Sequence, residues 1–271
     1  MPTGYEAVLL VAFGGPEAPD QVEPFLKRVT AGRHIPAERL AEVADRYARF
    51  GGVSPINARL RNLVESVEAE LRAAGSGLSV YWGNRNAPPL LTETVAEMRD
   101  DGIGRALAWI ASPYSSHSTC RRYREDIETA CAEVGPSAPQ VDVIRPHHDH
   151  PGLIQPAADR LAEALSSLPT DDATVLFSSH SLPVDLAARC DYEAQVNEAA
   201  SLVAERAGLT DRQRWEIVWQ SRSGHPGVPW LEPDVSDRVQ LLGEAGVRSV
   251  AVSPIGFPVE NFEVAWDLDI E

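Results

Sequence analysis

Short apolar runs alternate along the chain with longer stretches in which apolar residues recur at helical spacing. The run AVLLVAF at residues 7–13 has the length and composition of a strand that is buried on both faces. A Gly-Gly-Pro turn closes it, and a helical pattern follows over residues 19–30. Because strand and helix patterns keep alternating in this way, the sequence predicts an α/β protein with parallel strands.

The alternation runs through the chain in two rounds. The first round predicts strands at 7–13, 78–82, 105–111 and 140–144, and helices at 19–30, 39–49, 57–73, 91–100 and 121–133. The second predicts strands at 174–179, 215–220 and 249–253, and helices at 153–168, 192–207 and 235–245. Thr92 is the expected cap of the helix at 91–100. We therefore expect two α/β domains, residues 1–150 and 151–271.

Composition narrows the class of protein. The 271 residues are 44% hydrophobic and carry a formal net charge of −16. This charge argues against a nucleic-acid partner, which calls for a basic face. The three cysteines are few and widely spaced, which fits a reducing compartment. Since the N-terminus lacks a basic leader and no apolar run is long enough to cross a bilayer, we expect a cytoplasmic protein without an integral membrane segment.

Residues that could take part in catalysis or binding lie just after the predicted strands, where open α/β sheets bind ligands. His180 follows the apolar run before it, and Glu263 follows the strand and turn at 249–257. A histidine there suits proton transfer or metal binding near neutral pH. Taken alone, His180 is equally an ordinary loop histidine, and Glu263 an ordinary glutamate favoured by the dipole of a helix.

Several other site classes have no support in the sequence. It contains no G-x-G-x-x-G or Walker loop, and Ser178 lacks the Gly-x-Ser-x-Gly setting of a hydrolase. His147, His148 and His150 cluster without the spacing of a zinc site, so we expect them to be idle.

Six stretches together resemble the ferrochelatase family. They are LLVAFGGPEAP, DRYARFGGVSPIN, VYWGNRNAPP, SSHSLP, WQSRSGHPGVPWLEPDV and VSPIGFPVENFEVAWDLDIE. The resemblance runs over essentially the whole chain and is closest to the coproporphyrin-type enzymes of actinobacteria. It implies a lyase of heme biosynthesis that inserts Fe²⁺ into coproporphyrin III. The implied partners are the porphyrin and ferrous iron, and other heme-pathway enzymes.

The resemblance also implies a fold and a set of site residues. The family has two Rossmann-like, class II chelatase-like domains with parallel sheets and a porphyrin cleft between them. Its metal-site pair falls on His180 and Glu263. The positions that hold the substrate's carboxylates and ring fall on Arg46, Tyr47, Ser54 and Tyr123. Phe13 stands where some members have a tyrosine facing the iron.

These residue types fit the implied chemistry. Metallation removes two pyrrole N–H protons, for which a histidine is a suitable base, and imidazole and carboxylate both bind ferrous iron. Trp230 and Phe257 could bend the porphyrin as cleft walls, or simply pack in the core. Coproporphyrin has four propionates, which cations between residues 27 and 46 could pair. These cations are Lys27, Arg28, Arg33, Arg39 and Arg46. We expect Arg39 and Arg28 to lie on solvated helix faces instead.

The sequence departs from the family pattern in three places. Family members continue for a few dozen residues past the position of Glu271, so this chain is expected to lack their closing segment. Many actinobacterial members bind a [2Fe-2S] cluster, but only Cys120 matches a ligand position, and Cys131 and Cys190 lie elsewhere. We therefore expect no cluster held by this chain alone. Asn261 occupies the place of a histidine before Glu263 and cannot take up a proton.

The sequence is also compatible with three other functions. They are a ferrochelatase acting on protoporphyrin IX, a chelatase for another tetrapyrrole such as sirohydrochlorin, and a non-catalytic porphyrin- or heme-binding protein.

Overall fold

A computed structural model of the protein describes residues 4–32, 35–169, 173–209, 213–223 and 227–271. The chain forms two compact units that exchange short segments. Unit 1 comprises Met1–Ala111, Ser118–Arg145 and Val259–Phe262. Unit 2 comprises Ser112–His117, Pro146–Pro258 and Glu263–Glu271.

A four-stranded parallel sheet in the order β2-β1-β3-β4 forms the centre of unit 1. Its strands are β1 (Ala7–Ala12), β2 (Ser79–Asn84), β3 (Arg105–Ile110) and β4 (Gln140–Val143). Its helices are α1 (Val22–Val29), α2 (Ala37–Arg49), α3 (Ile56–Ala73), α4 (Leu91–Asp100) and α5 (Tyr123–Val134).

Helices cover both faces of this sheet. Successive side chains of a strand point to opposite faces, and in β1 Leu9 and Val11 pack in one core with Val95 of α4. Leu10 packs in the opposite core with Leu60 of α3. Because both faces are buried, β1 is an uninterrupted apolar run rather than an alternating one.

Unit 2 is built on a three-stranded parallel sheet in the order β6-β5-β7. The strands are β5 (Thr174–His180), β6 (Trp215–Gln220) and β7 (Val250–Ser253). The helices are α6 (Pro151–Ser166), α7 (Val184–Ala187), α8 (Tyr192–Arg206), α9 (Val235–Glu244) and α10 (Phe262–Asp269), of which α10 begins on the last residue of unit 1. In β5, Phe177 packs with Val196 of α8, whereas Leu176 packs with Leu242 of α9.

The predicted α/β class with parallel sheets is confirmed. The differences lie at the ends of strands and helices, and β2, predicted at 78–82, spans Ser79–Asn84. The helix predicted at 19–30 begins as a 3₁₀ turn at Pro19–Gln21. The helix predicted at 121–133 begins as a π-helical turn at Ser118–Arg122. Helix α7 was not predicted, and α10 was indicated only by the interpretation of Glu263 as a first-turn glutamate of a helix, without bounds. No helix within the described residues combines the length and apolar character needed to span a bilayer.

The prediction that Thr92 caps helix α4 is wrong. Helix α4 begins at Leu91, so Thr92 lies inside its first turn, and its hydroxyl donates to the Glu133 carboxylate instead (3.0 Å). The capping group is the Glu93 carboxylate, which accepts a hydrogen bond from the Leu90 backbone N–H at 2.9 Å. The sequence signal was present, since a glutamate in the first turn can reach back to an unpaired N–H.

Candidate functional site

His180 stands at the carboxyl edge of the unit 2 sheet. It is the last residue of β5 and lies in register with Gln220, the last residue of β6. Its Nδ1 is within hydrogen-bond distance of the Ser181 carbonyl oxygen. Because a carbonyl can only accept, Nδ1 carries the proton, and Nε2 of the neutral ring keeps its lone pair. His180 can therefore act through Nε2 as a base or as a metal ligand.

Glu263, in the first turn of α10, faces that nitrogen. Its Oε2 lies 3.6 Å from His180 Nε2, and its side chain is 45% exposed. Desolvation raises the pKa of Glu263, with a further contribution from Asp267, while His180 opposes the shift. The separation is longer than a strong charge-assisted hydrogen bond. One divalent ion could bind both atoms, because metal bonds to histidine and carboxylate are about 2.1 Å long.

Asp267 lies one helical turn beyond Glu263 and is fixed to the end of β6. The Gln220 side-chain amide donates to Asp267 Oδ2 at 3.2 Å, and the Ser221 hydroxyl donates to the same oxygen. Gln220 is buried and is itself oriented by the Ser178 hydroxyl, which donates to its Oε1 at 2.8 Å. Burial raises the pKa of Asp267, whereas these hydrogen bonds oppose the shift.

Two further contacts fix the backbone around His180. The Tyr192 hydroxyl donates to the His180 carbonyl at 2.9 Å and lies 2.7 Å from Ser179 Oγ. The loop after β7 passes directly over β5, and the Gly256 N–H donates to the Ser178 carbonyl at 3.1 Å. A Cβ at Gly256 would lie 2.6 Å from Ser179 Cα, so only glycine allows this approach.

An asparagine network joins the loops at the carboxyl edge of the unit 1 sheet. The Asn57 side chain donates to the Gly15 carbonyl at 3.1 Å and accepts from the Gly15 N–H at 3.2 Å. Asn84 donates to Asn57 Oδ1 at 3.2 Å, and Asn86 donates to the Phe13 carbonyl at 3.2 Å. The Phe13 ring remains 40% exposed at this edge.

With this geometry established, comparison with known proteins identifies the family. The ferrochelatase family profile matches residues 5–271. The chain belongs to the ferrochelatase family. It is 48% identical over 273 residues to a coproporphyrin III ferrochelatase of Mycolicibacterium smegmatis, covering 98% of this chain and 79% of that protein. It is also 48% identical over 277 residues to a coproporphyrin III ferrochelatase of Nocardia farcinica, covering 98% of this chain and 78% of that one.

Among solved structures, a more distant match is CbiX, the terminal enzyme for biosynthesis of siroheme in denitrifying bacteria. It is 16% identical and covers 92% of each chain, with a TM-score of 0.43.

The four residues predicted to hold the porphyrin all lie in unit 1. Ser54 is 3% exposed and packs so closely on Gly15 that a Cβ there would lie 2.6 Å from Ser54 Cβ. Tyr47 is buried, with one ring face stacked on Phe262. Ser54 therefore lies beside the loop that carries Phe13.

The other two of these residues, Arg46 and Tyr123, contact charged side chains. Arg46 Nη2 donates to the Glu42 carboxylate one helical turn earlier, at 3.1 Å. Tyr123 is buried beneath Arg85, whose guanidinium lies 5.6 Å from the ring centre, and burial raises the pKa of the Tyr123 phenol. Arg85 pairs in turn with Asp126 at 2.8 Å.

The predicted cations at 27–46 do not form one cluster in the described residues. Lys27 pairs with Glu23 on an exposed helix face, and Arg39 pairs with Glu42, as expected for a solvated face. Arg28 is exposed, as expected for a solvated helix face, and its Nη1 lies 3.5 Å from the Asn86 carbonyl oxygen. Arg33 lies outside the described residues.

The two predicted aromatic walls both lie in unit 2. The Phe257 ring centre is 6.5 Å from that of His180, and the side chain is half-buried. Trp230 is half-buried beside the β-bridge that it forms with Pro183. Phe257 thus lies beside His180, whereas Trp230 lies on the loop between β6 and α9.

The cysteines do not fit a [2Fe-2S] cluster, which needs four ligands. Cys131 packs in the unit 1 core and Cys190 in the unit 2 core, while Cys120 is exposed. Within the described residues, no three His, Cys, Asp or Glu side chains form a group that could hold a metal ion.

Sequence reasoning missed the residues that support the site. Asp267 had a usable signal, because its spacing of four from Glu263 places both carboxylates on one face of a helix. Gln220 had a weaker sequence signal, which was its place as the last residue of a predicted strand. The pairing of Asn57 with Gly15 had none, since it joins residues of different elements.

Proposed function

We propose that this chain is a coproporphyrin III ferrochelatase, which inserts Fe²⁺ into coproporphyrin III in heme biosynthesis. The observation that carries the proposal is the pair formed by His180 Nε2 and Glu263 Oε2, 3.6 Å apart. Membership of the ferrochelatase family and the relatives of that activity support the reaction and the substrate.

His180 and Glu263 divide the chemistry of metallation between them. The porphyrin must lose two pyrrole protons before its four nitrogens can bind the metal. The lone pair at His180 Nε2 accepts a pyrrole proton, because Nδ1 is committed to the Ser181 carbonyl. Glu263 brings Fe²⁺ an oxygen ligand and a negative charge.

The substrate-holding roles fall to unit 1. We assign Arg46, Tyr47, Ser54 and Tyr123 to the propionates and ring of the porphyrin. Phe13 has no oxygen to offer the iron, so its exposed ring contributes only apolar contact with the macrocycle. Arg46, which is partly buried, would have to exchange its partner Glu42 for a propionate. Because Glu42 is about half exposed, breaking this ion pair costs little.

We further propose that the enzyme is cytoplasmic, because all three cysteines are free thiols. Its domains would be residues 1–150 and 151–271.

Anaerobic turnover tests this proposal. The protein is mixed with Fe²⁺ and either coproporphyrin III or protoporphyrin IX, and the loss of free-porphyrin absorbance is followed. Metallation of coproporphyrin in strong preference to protoporphyrin is the expected result. His180→Ala is expected to lower kcat about a hundredfold or more through loss of the base, and Glu263→Gln to weaken the use of iron.

His150→Ala is the matched control, because His150 is an exposed helix-capping residue of α6, and its kcat should stay near that of the wild type. Preferred use of protoporphyrin would contradict the substrate assignment. Tight porphyrin binding without metallation would favour the carrier alternative.

A further inference from the structure

Four residues that precede Glu263 pack with unit 1, far from the rest of that unit along the chain. We call this segment, Val259–Phe262, the strap. Its first residue, Val259, packs against the core formed by Leu10 and Ala12 of β1 and Ile56 and Leu60 of α3. The strap is therefore fixed to the central strand of unit 1 and to the first turn of α3.

An ion pair fixes the second residue of the strap. Arg59 of α3 donates from Nε and Nη2 to Glu260 Oε2, at 3.0 and 2.6 Å. Both side chains are substantially exposed, so the pair adds little stability by itself. Its two donors nevertheless set the direction of the Glu260 side chain, and with it the path of the strap along α3.

The last residue of the strap, Phe262, is held by aromatic contacts and is only 5% exposed. Its ring stacks on Tyr47 with a centroid separation of 3.8 Å and an interplanar angle of 14°. Phe50, the residue that follows α2, contacts the same ring edge-on, with the ring centroids 5.5 Å apart. The contacts continue from Tyr47 to Phe25 at 5.8 Å. Close aromatic pairs of this kind restrict both ring position and ring orientation.

The residue after Phe262 is Glu263. Phe262 opens helix α10, so a shift of its backbone carries the first turn of that helix, and the Glu263 carboxylate, with it. We propose that Phe262 and Tyr47 are positioning residues, which hold Glu263 where its oxygen faces His180 Nε2. Tyr47 thereby contributes to the reaction through its stacked face as well as through any contact with substrate. The inference rests on the proposed role of Glu263 as a metal ligand.

Kinetics of double variants test whether Phe262 acts through Glu263. Because a displacement of about 1 Å can cost up to a hundredfold in rate, Phe262→Ala is expected to lower kcat at least about tenfold. The Kd for coproporphyrin should change much less. In the Glu263→Gln background, Phe262→Ala should cause no further loss. An equal fractional loss in both backgrounds, or an unchanged kcat in the single variant, would overturn the inference.

Two comparisons separate positioning from loss of stability. Tyr47→Phe keeps the stacked ring, whereas Tyr47→Leu removes it, so the leucine variant should lose more kcat than the phenylalanine variant. Met98→Ala weakens the core of unit 1 at a fully buried side chain of α4 that is remote from the strap. If Met98→Ala lowers Tm as much as Phe262→Ala does, it should still keep the kcat of the wild type. If Met98→Ala instead lost as much kcat as Phe262→Ala, the loss in Phe262→Ala would be explained by reduced stability and not by positioning.

Zn²⁺ binding provides a readout that does not depend on turnover. Titration calorimetry without porphyrin should show weaker Zn²⁺ binding in Glu263→Gln and in Phe262→Ala. If both bind more weakly but the wild type does not metallate coproporphyrin, the proposed function fails and the positioning inference stands. If Glu263→Gln alone, or neither variant, weakens binding, the inference is overturned.

Discussion

At the scale of single residues, the loop over β5 depends on the missing side chain of Gly256. A methyl group there would lie 2.1 Å from Ser179 Oγ and 2.6 Å from Ser179 Cα. Since the backbone of a buried strand cannot move aside, we expect Gly256→Ala to lower the free energy of unfolding by about 1–3 kcal/mol. Denaturant unfolding measures this change.

A second glycine supplies the control. Gly243 lies within α9, and a Cβ added there meets no atom within 4 Å. Gly243→Ala should therefore stabilise the protein by about 0.5–1 kcal/mol, because glycine is a poor helix former. Equal effects of the two substitutions would mean that the close approach at Gly256 is not rigid.

His180 and Glu263 show how far the sequence leads at this scale. The strand pattern placed both residues after strands, where ligands bind, but left each of them open to an ordinary structural role. Their 3.6 Å approach depends on α10 and on the loop after β7, which no local pattern describes. Local spacing could have found Asp267, whereas the contacts of Tyr47 with Phe262 depend on the tertiary fold.

At the scale of elements, strands were easier to predict than helix ends. Strand β6 was placed correctly at both ends, and β1 to within one residue, because buried parallel strands are compact apolar runs. Helix α7, with four residues, is too short to show a period. The bounds of helix α10 were not predicted, and its beginning is set by the contacts of Phe262, which depend on the tertiary fold.

A charged cluster links the amino-terminal ends of β1 and β3 to β4. Arg105 donates to Asp142 Oδ2 from Nε at 2.9 Å and from Nη2 at 2.7 Å, and the Tyr5 hydroxyl donates to the same oxygen at 3.0 Å. The hydrogen bonds from Arg105, and then that from Tyr5, hold the pKa of Asp142 below its usual value. We expect Asp142→Asn to lower Tm at neutral pH.

The pH dependence of this difference gives the sharper test. Because the folded-state pKa of Asp142 is depressed, its contribution is complete above the usual aspartate pKa of about 3.9 and is lost as pH falls through the folded value. The gap in Tm between wild type and Asp142→Asn should thus be constant at neutral pH and close in acid. A gap that persists unchanged at pH 2 would show that charge plays no part.

At the scale of the whole molecule, the sequence indicated two rounds of α/β structure but not the exchange of segments between the units. The contacts of Val259 and Phe262 place the strap in unit 1, although its neighbours along the chain belong to unit 2. Such an assignment depends on side-chain packing between distant residues, which a pattern along the chain does not contain. The division into domains at residues 150 and 151 stays a prediction.

The net charge of −16 has consequences for both substrates of the proposed reaction. Coproporphyrin carries four carboxylates and is repelled by the overall field, whereas Fe²⁺ is attracted. Raising the ionic strength from about 0.01 to 0.15 M shortens the Debye length from about 30 to 8 Å. We therefore expect kcat/KM to rise with salt for coproporphyrin and to fall for Fe²⁺.

The opposite signs make this prediction robust against general effects of salt on the enzyme, which would move both values of kcat/KM together. A fall in kcat/KM for coproporphyrin would mean that local cations govern its approach. Arg46 would then be the first candidate, since it is partly buried on unit 1. Arg46→Gln should in that case flatten the salt dependence for coproporphyrin while leaving that for Fe²⁺ unchanged, because only the porphyrin has carboxylates for it to attract.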